Sequence, residues 1–279
     1  MKQLIPIPTL HLFSVLDKLL IELLSSLSPE EWNKPTVARL WTVKDIAAHL
    51  LDGNVRGIAI LNGHQLSPPD KPIESYQHLV AFLNELNNTW VTAMKRVSPQ
   101  LLTRQLESTG KQYIEYLHTL KPFEQAMFPV AWAGENISLN WFHIAREYTE
   151  KWHHQQQIRD ALGKPGLMAR QLFYPCMDTF MQALPHTYHH VAAGINTIIK
   201  ITISGREGGV WFLKKSVEKW QLQKQQPETA VSAEVILSPQ TAWKLFTKAI
   251  SAQNAIADSR IKGDALLADT VFKTIAVMA

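Results

Sequence analysis

At 279 residues, 46% hydrophobic and 19% charged, the chain is long enough for two domains and too apolar to be disordered. The 28 basic residues exceed the 24 acidic ones by only four and lie scattered, which excludes the phosphate-neutralising run of a nucleic-acid-binding protein. The single cysteine, Cys176, excludes an internal disulfide and fits a reducing cytoplasm. No apolar run is long enough for a membrane span, and the N-terminal apolar stretch is interrupted by Asp17 and Lys18 and lacks a signal peptide's cleavage site.

The first 163 residues read as helix almost throughout. Leu10, Leu12, Phe13, Leu16, Leu19, Leu20, Leu23 and Leu24 recur at three- and four-residue steps, the helical period. In "SPEEW", Ser28 is placed to cap a short turn, with Pro29 at its first position and Glu31 at its third. A second helix starts in "WTVKDIAAHLLDGNVRGIAILNG", with Thr42 and Asp45 as a weaker capping box and Gly63 as the stop. After the break in "SPPDKP", a third helix covers roughly residues 74 to 97, and an amphipathic segment, weakened by Gly110, covers about 99 to 120. "FPVAWAGENISL" reads as loop, and a long helix runs from near Ser138 to Gly163, with Pro165 just beyond.

Beyond "GKPG" the character changes. Residues 167 to 192 read as one helix, followed by strands in "TIIKITISG", "GVWFLKKS", "KWQLQKQ" and "SAEVILS". "SGREGG" reads as a hairpin turn, not a phosphate loop. A helix in "SPQTAWKLFTKAIS", a strand at "SRIKG" and a final helix complete an α+β domain. The boundary falls at about 163 to 167, giving domains of 1–165 and 166–279.

The stretch "EYTEKWHHQQQIRDALG" carries the chemistry. His143, Glu147, Glu150, His154, Gln157 and Ala161 advance by alternating steps of four and three and so share one helical stripe. Glu150 and His154, four apart, can converge on one point, and a carboxylate oxygen with an imidazole nitrogen is half of a zinc site. His49, set among Ile46, Ala47, Ala48, Leu50 and Leu51, points inward; it is either a third ligand or a core histidine satisfied by one hydrogen bond. Glu147 reads equally as a solvated carboxylate. His153 lies about 100° round from His154 and reads as a surface or interface residue.

The segments "WTVKDIAAHLLDGN" and "EYTEKWHHQQQIRDALG" resemble the two signature segments of the DinB-like superfamily, and most closely the metal-binding domain of mycothiol-dependent maleylpyruvate isomerases. The resemblance covers roughly residues 8 to 163 and implies a four-helix bundle. Its three ligands fall here on His49, Glu150 and His154, with zinc the usual divalent ion and nickel or another the alternative. The C-terminal half is similar to the small sterol-carrier-like α+β domain that follows in such proteins. One departure stands out: the acid three residues after the last ligand is Gln157 here, which cannot serve as a base. Glu147 is a candidate stand-in, and His143 another residue behind the ligands.

The resemblance implies a thiol-dependent isomerase or S-transferase acting on a small electrophilic substrate. A low-molecular-weight thiol would be cosubstrate, in a cytoplasmic monomer or homodimer without nucleic-acid or membrane partners. Arg56, two turns beyond His49 on nearly the same face, is the candidate for an anionic substrate. A metal-dependent hydrolase and a non-catalytic, metal-stabilised module binding an apolar ligand remain the alternatives. His186, His189 and His190 lack a nearby acid and do not read as a second metal site, and Cys176 reads as a buried small residue.

Overall fold

The computed structural model describes residues 3–64, 69–70 and 72–278, so most of the break in "SPPDKP" lies outside the described residues. The chain divides into two compact units. One holds the chain up to Gln125 together with Leu139–Gly166; the other holds Ala126–Ser138 and Leu167–Val277.

The first unit is helical. Its elements are α1 (Phe13–Ser25), the short α2 (Pro29–Trp32), α3 (Val43–Leu61), α4 (Tyr76–Met94), α5 (Pro99–Thr119) and α6 (Asn140–Leu162). Helices α1 and α3 each pack against both α5 and α6, which makes a four-helix bundle, and α4 lies on α3. Leu20 and Leu24 of α1, Ile46, Ala47 and Leu51 of α3, Leu102 and Leu106 of α5 and Ile158 of α6 form its core. Capping boxes start α2 and α3: the Ser28 hydroxyl accepts from Glu31 N–H while the Glu31 carboxylate accepts from Ser28 N–H, and Thr42 and Asp45 do the same. Gly163, at φ +64°, ends α6 in the left-handed conformation that a residue with a Cβ rarely adopts.

Helix α6 departs from the usual amphipathic pattern. It is buried on nearly every side, although its buried residues include His143, Lys151, His153, His154, Gln155, Gln156 and Gln157. Buried polar groups need partners, so this helix is where a polar network must be sought.

The second unit is α+β. Its helices are α7 (Arg170–Phe180), α8 (Leu184–Thr187), α9 (Pro239–Phe246), α10 (Ala252–Ala257) and α11 (Ala265–Asp269). Its strands are β1 (Ile198–Ile203), β2 (Gly209–Lys215), β3 (Trp220–Gln223), β4 (Ala233–Leu237) and β5 (Arg260–Gly263), in the order β3-β2-β1-β4-β5. Only β1 and β4 run parallel; the other pairs are antiparallel, with "SGREGG" turning β1 into β2.

Three helical expectations change. The single helix over 167–192 is α7, a 3-10 turn and the four-residue α8, because Pro185 has no N–H to offer the carbonyl of Met181. The helix after β4 stops at Phe246: Lys248 turns left-handed at φ +61°, and Ser251 caps a new start by accepting from Asn254 N–H. The final helix is only α11 and a 3-10 turn to Lys273.

Candidate metal centre

Thr42 and Asp45 fix where α3 begins, and from there the helical period carries His49 inward towards α6. Helix α6 supplies Glu150 and His154 one turn apart. Ligand atoms of His49, Glu150 and His154 all lie within 4.8 Å of one another, and among the described residues no other set of three His, Cys, Asp or Glu side chains converges this way. His154 Nε2 is 3.4 Å from Glu150 Oε2, and the His49 and His154 rings meet edge to face with centroids 4.6 Å apart.

Second contacts orient the set. His154 Nδ1–H donates to Gln157 Oε1 at 2.9 Å, which leaves Nε2 as the acceptor nitrogen on the Glu150 side. Among the described residues the buried Nδ1 of His49 has no hydrogen-bond partner. A buried donor or acceptor left unsatisfied is costly, and a bound cation is one way to satisfy it. Burial drives His49 well below the ordinary histidine range, and the neighbouring His154 and Arg56 add to the effect. Burial alone would raise the Glu150 carboxyl, but His153, His154 and His49 around it hold it low instead. A neutral imidazole facing an ionised carboxylate is the donor form that a divalent cation takes.

The remaining residues read from the sequence sit as follows. Glu147 is half-buried and partnered: it accepts from the Tyr113 hydroxyl at 2.6 Å and from Arg146 Nη2 at 2.7 Å. Arg146 Nη2 also donates to His143 Nδ1 at 2.6 Å, which requires a neutral His143 with its proton on Nε2. Glu147 and His143 thus form a buried network with Arg146 and Tyr113, and it is Gln157 that meets His154. Arg56 is ion-paired to Asp52 on its own helix at 3.1 Å, while its buried Nε has no partner. His186 and His189 stack with centroids 4.7 Å apart but join no acid, and Cys176 is fully buried.

His153 corrects the sequence reading. At 3% exposure it is a buried residue whose Nδ1–H donates to Thr149 O at 2.7 Å, because α6 has no free side for it to face. Two features escaped the sequence. Lys151 is buried beside Asn54 Oδ1, to which its ammonium donates, with Asp17 at 4.0 Å. Trp41 lies over the site, its ring centroid 4.8 Å from that of His49 and 6.0 Å from that of His154. A Lys four residues from Glu147 carries no signal that would have placed it, and Trp41, although it opens the signature segment "WTVKDIAAHLLDGN", gives no local sign of the rings it meets.

Among the described residues no helix is long and apolar enough to cross a membrane. No curated protein matches the sequence significantly. Two crystal structures of mycothiol-dependent maleylpyruvate isomerase, one of a point mutant, match with a TM-score of 0.53 at 11% and 10% identity; each match covers 85% of this chain and 86% of theirs. They show that the two-part fold is shared. The family model described as "Mycothiol maleylpyruvate isomerase N-terminal domain" matches residues 15–159, a span that contains His49, Glu150 and His154. The chain belongs to this DinB-like, maleylpyruvate isomerase-like family.

Proposed function

We propose that the protein is a metal- and thiol-dependent isomerase or S-transferase acting on a small electrophile, with His49, Glu150 and His154 as the metal ligands. The observation that carries this is the convergence of the three donors within 4.8 Å of one another, with a buried ring nitrogen of His49 left unsatisfied. Membership of the family and the shared fold support the thiol-dependent part. Residues 1–165 would hold the metal and 166–279 would form the second domain.

Three protein ligands leave coordination positions open to substrate or thiol. A divalent cation there, zinc in the first instance, supplies positive charge that favours a thiolate over a thiol. The chain's own residues prepare the site. Gln157 holds the His154 ring so that Nε2 faces the donor set. Glu147 and His143, tied to Arg146 and Tyr113, are the buried support one to two turns earlier on α6. Arg56 adds positive charge near His49 and is the candidate to receive an anionic group of the substrate. Gln157 has no carboxylate to act as a base, so proton removal from the thiol falls to solvent or to the substrate.

The test has two parts. Metal is quantified in the purified protein and in His49→Ala, Glu150→Ala and His154→Ala; stoichiometric metal in the parent and its loss in the variants is the expected result. Full retention in all three variants overturns the ligand assignment. Turnover of maleylpyruvate is then followed with a panel of thiols, and no thiol-dependent turnover by the metal-loaded protein overturns the enzymatic reading while leaving the site standing. Metal-dependent turnover of an ester or amide without thiol would identify a hydrolase instead.

A further inference from the structure

The two histidines of the donor set are held differently. His154 has an orienting hydrogen bond, from Nδ1–H to Gln157. His49 has no counterpart: among the described residues neither its buried Nδ1 nor its Nε2 has a hydrogen-bond partner, so whichever nitrogen takes the metal, the other is left unheld. A ligating histidine ordinarily takes its ring orientation from a hydrogen bond on the nitrogen that does not bind metal. Something else must set the plane of the His49 ring. Two aromatic contacts are available: the His154 ring at 4.6 Å and the Trp41 indole at 4.8 Å, tilted by 42°.

Trp41 is itself rigidly presented. Its carbonyl accepts from Thr36 N–H at 3.1 Å and from the Thr36 hydroxyl at 2.9 Å. Its N–H donates to Ala38 O at 2.7 Å. Val43 N–H donates to Lys34 O at 3.0 Å, and Pro35 pairs with Thr42 across an isolated antiparallel bridge. The loop is therefore closed on itself immediately before the capping box of α3. The neighbouring Leu40 points out at 93% exposure, while the half-buried indole turns to the core.

We propose that Trp41 is a positioning residue for the metal site, fixing the His49 ring by aromatic contact where a hydrogen bond is missing. The inference rests on the assignment of His49, Glu150 and His154 as ligands. Aromatic pairs at such separations prefer tilted and edge-to-face arrangements, so the contact restrains the angle of the ring as well as its position. An apolar residue of similar bulk would fill the space without restraining that angle. Loss of the ring should therefore loosen the metal and alter its ligand field without unfolding the bundle.

The experiment uses Co2+ as the probe in the full-length protein, with Trp41→Leu and Trp41→Phe. Bound cobalt, its release to a chelator, its visible absorption and far-ultraviolet circular dichroism are measured for each. The Leu variant is expected to bind about 10- to 100-fold more weakly, in the range seen for lost orienting partners, and to show a changed visible spectrum; Phe should recover most of both. A Leu variant with parental affinity and spectrum overturns the proposal alone. A parent that binds no stoichiometric cobalt overturns the ligand assignment and this proposal with it. If the Leu variant fails to fold, quenching decides. The chain has nine tryptophans, so the cobalt-dependent loss of fluorescence is read as the difference between parent and Trp41→Phe. That difference should be large, and its absence overturns the contact.

Discussion

Nδ1 of His154 donates to Oε1 of Gln157 across 2.9 Å, one turn along the same helix. An amide oxygen thus occupies the place where the family resemblance calls for a carboxylate. The amide orients the ring as a carboxylate would but adds no charge. Gln157→Ala is expected to weaken metal binding about 10- to 100-fold, and Gln157→Asp to retain it, in a competition assay with a chelating dye. Unchanged affinity in the Ala variant would show that His154 is oriented by packing alone.

Tyr113 and Glu147 test how far the site extends. The phenol donates to a half-buried carboxylate that Arg146 also holds. Tyr113→Phe should cost about 1.5–3 kcal/mol of stability in urea denaturation, the range for a lost hydrogen bond to a charged group. Metal content should stay at the parental value. A fall in metal or turnover with stability unchanged would move Glu147 from support into the chemistry.

Gly57 gives a prediction of unusual sign. It lies within α3, where alanine is ordinarily better by about 1 kcal/mol. A Cβ there would stand 2.5 Å from two ring carbons of Tyr113, a ring pinned by its bond to Glu147. Gly57→Ala should therefore destabilise the protein despite the helix preference, seen as a lower thermal midpoint. A raised midpoint would mean that the Tyr113 ring yields freely.

His143 makes stability depend on pH. Burial first, and then the Arg146 guanidinium, push its pKa down to about 4 from the ordinary 6.5. A depressed group contributes its full stability above the unfolded value and loses it as pH falls towards the folded value. The loss therefore runs between about pH 6.5 and 4 and approaches about 2 kcal/mol by pH 5 from this residue. Chelator-treated protein, unfolded in urea at pH 7 and pH 5, isolates the effect from metal release. His143→Gln, which can still accept from Arg146, should show a flatter profile; an equal drop in both proteins would assign the loss elsewhere.

What the sequence disclosed was local. Leucine spacing marked α1, the Thr42/Asp45 cap and the Gly163 stop fixed the helices that carry His49, Glu150 and His154, and helical periodicity put two of the donors on one stripe. Burial across several elements was hidden. Lys151 and His153 look solvated in one dimension because nothing local says that α6 is enclosed on nearly every side. Trp41 opens a segment that carries the family resemblance, yet its place over two imidazoles emerges only from the closed loop before α3. The breaks at Met181 and Lys248 depend on single backbone groups, a missing proline N–H and one left-handed residue, which hydrophobic period does not register.

The division of donors between α3 and α6 has a consequence for folding. Roughly a hundred residues separate His49 from Glu150 along the chain, and both α4 and α5 lie between them. An ion held by all three residues is a cross-link that closes this loop, and its binding energy is then folding energy. Removing it would free α3 to part from α6 with every side chain intact, much as reduction of a disulfide loosens a secreted domain.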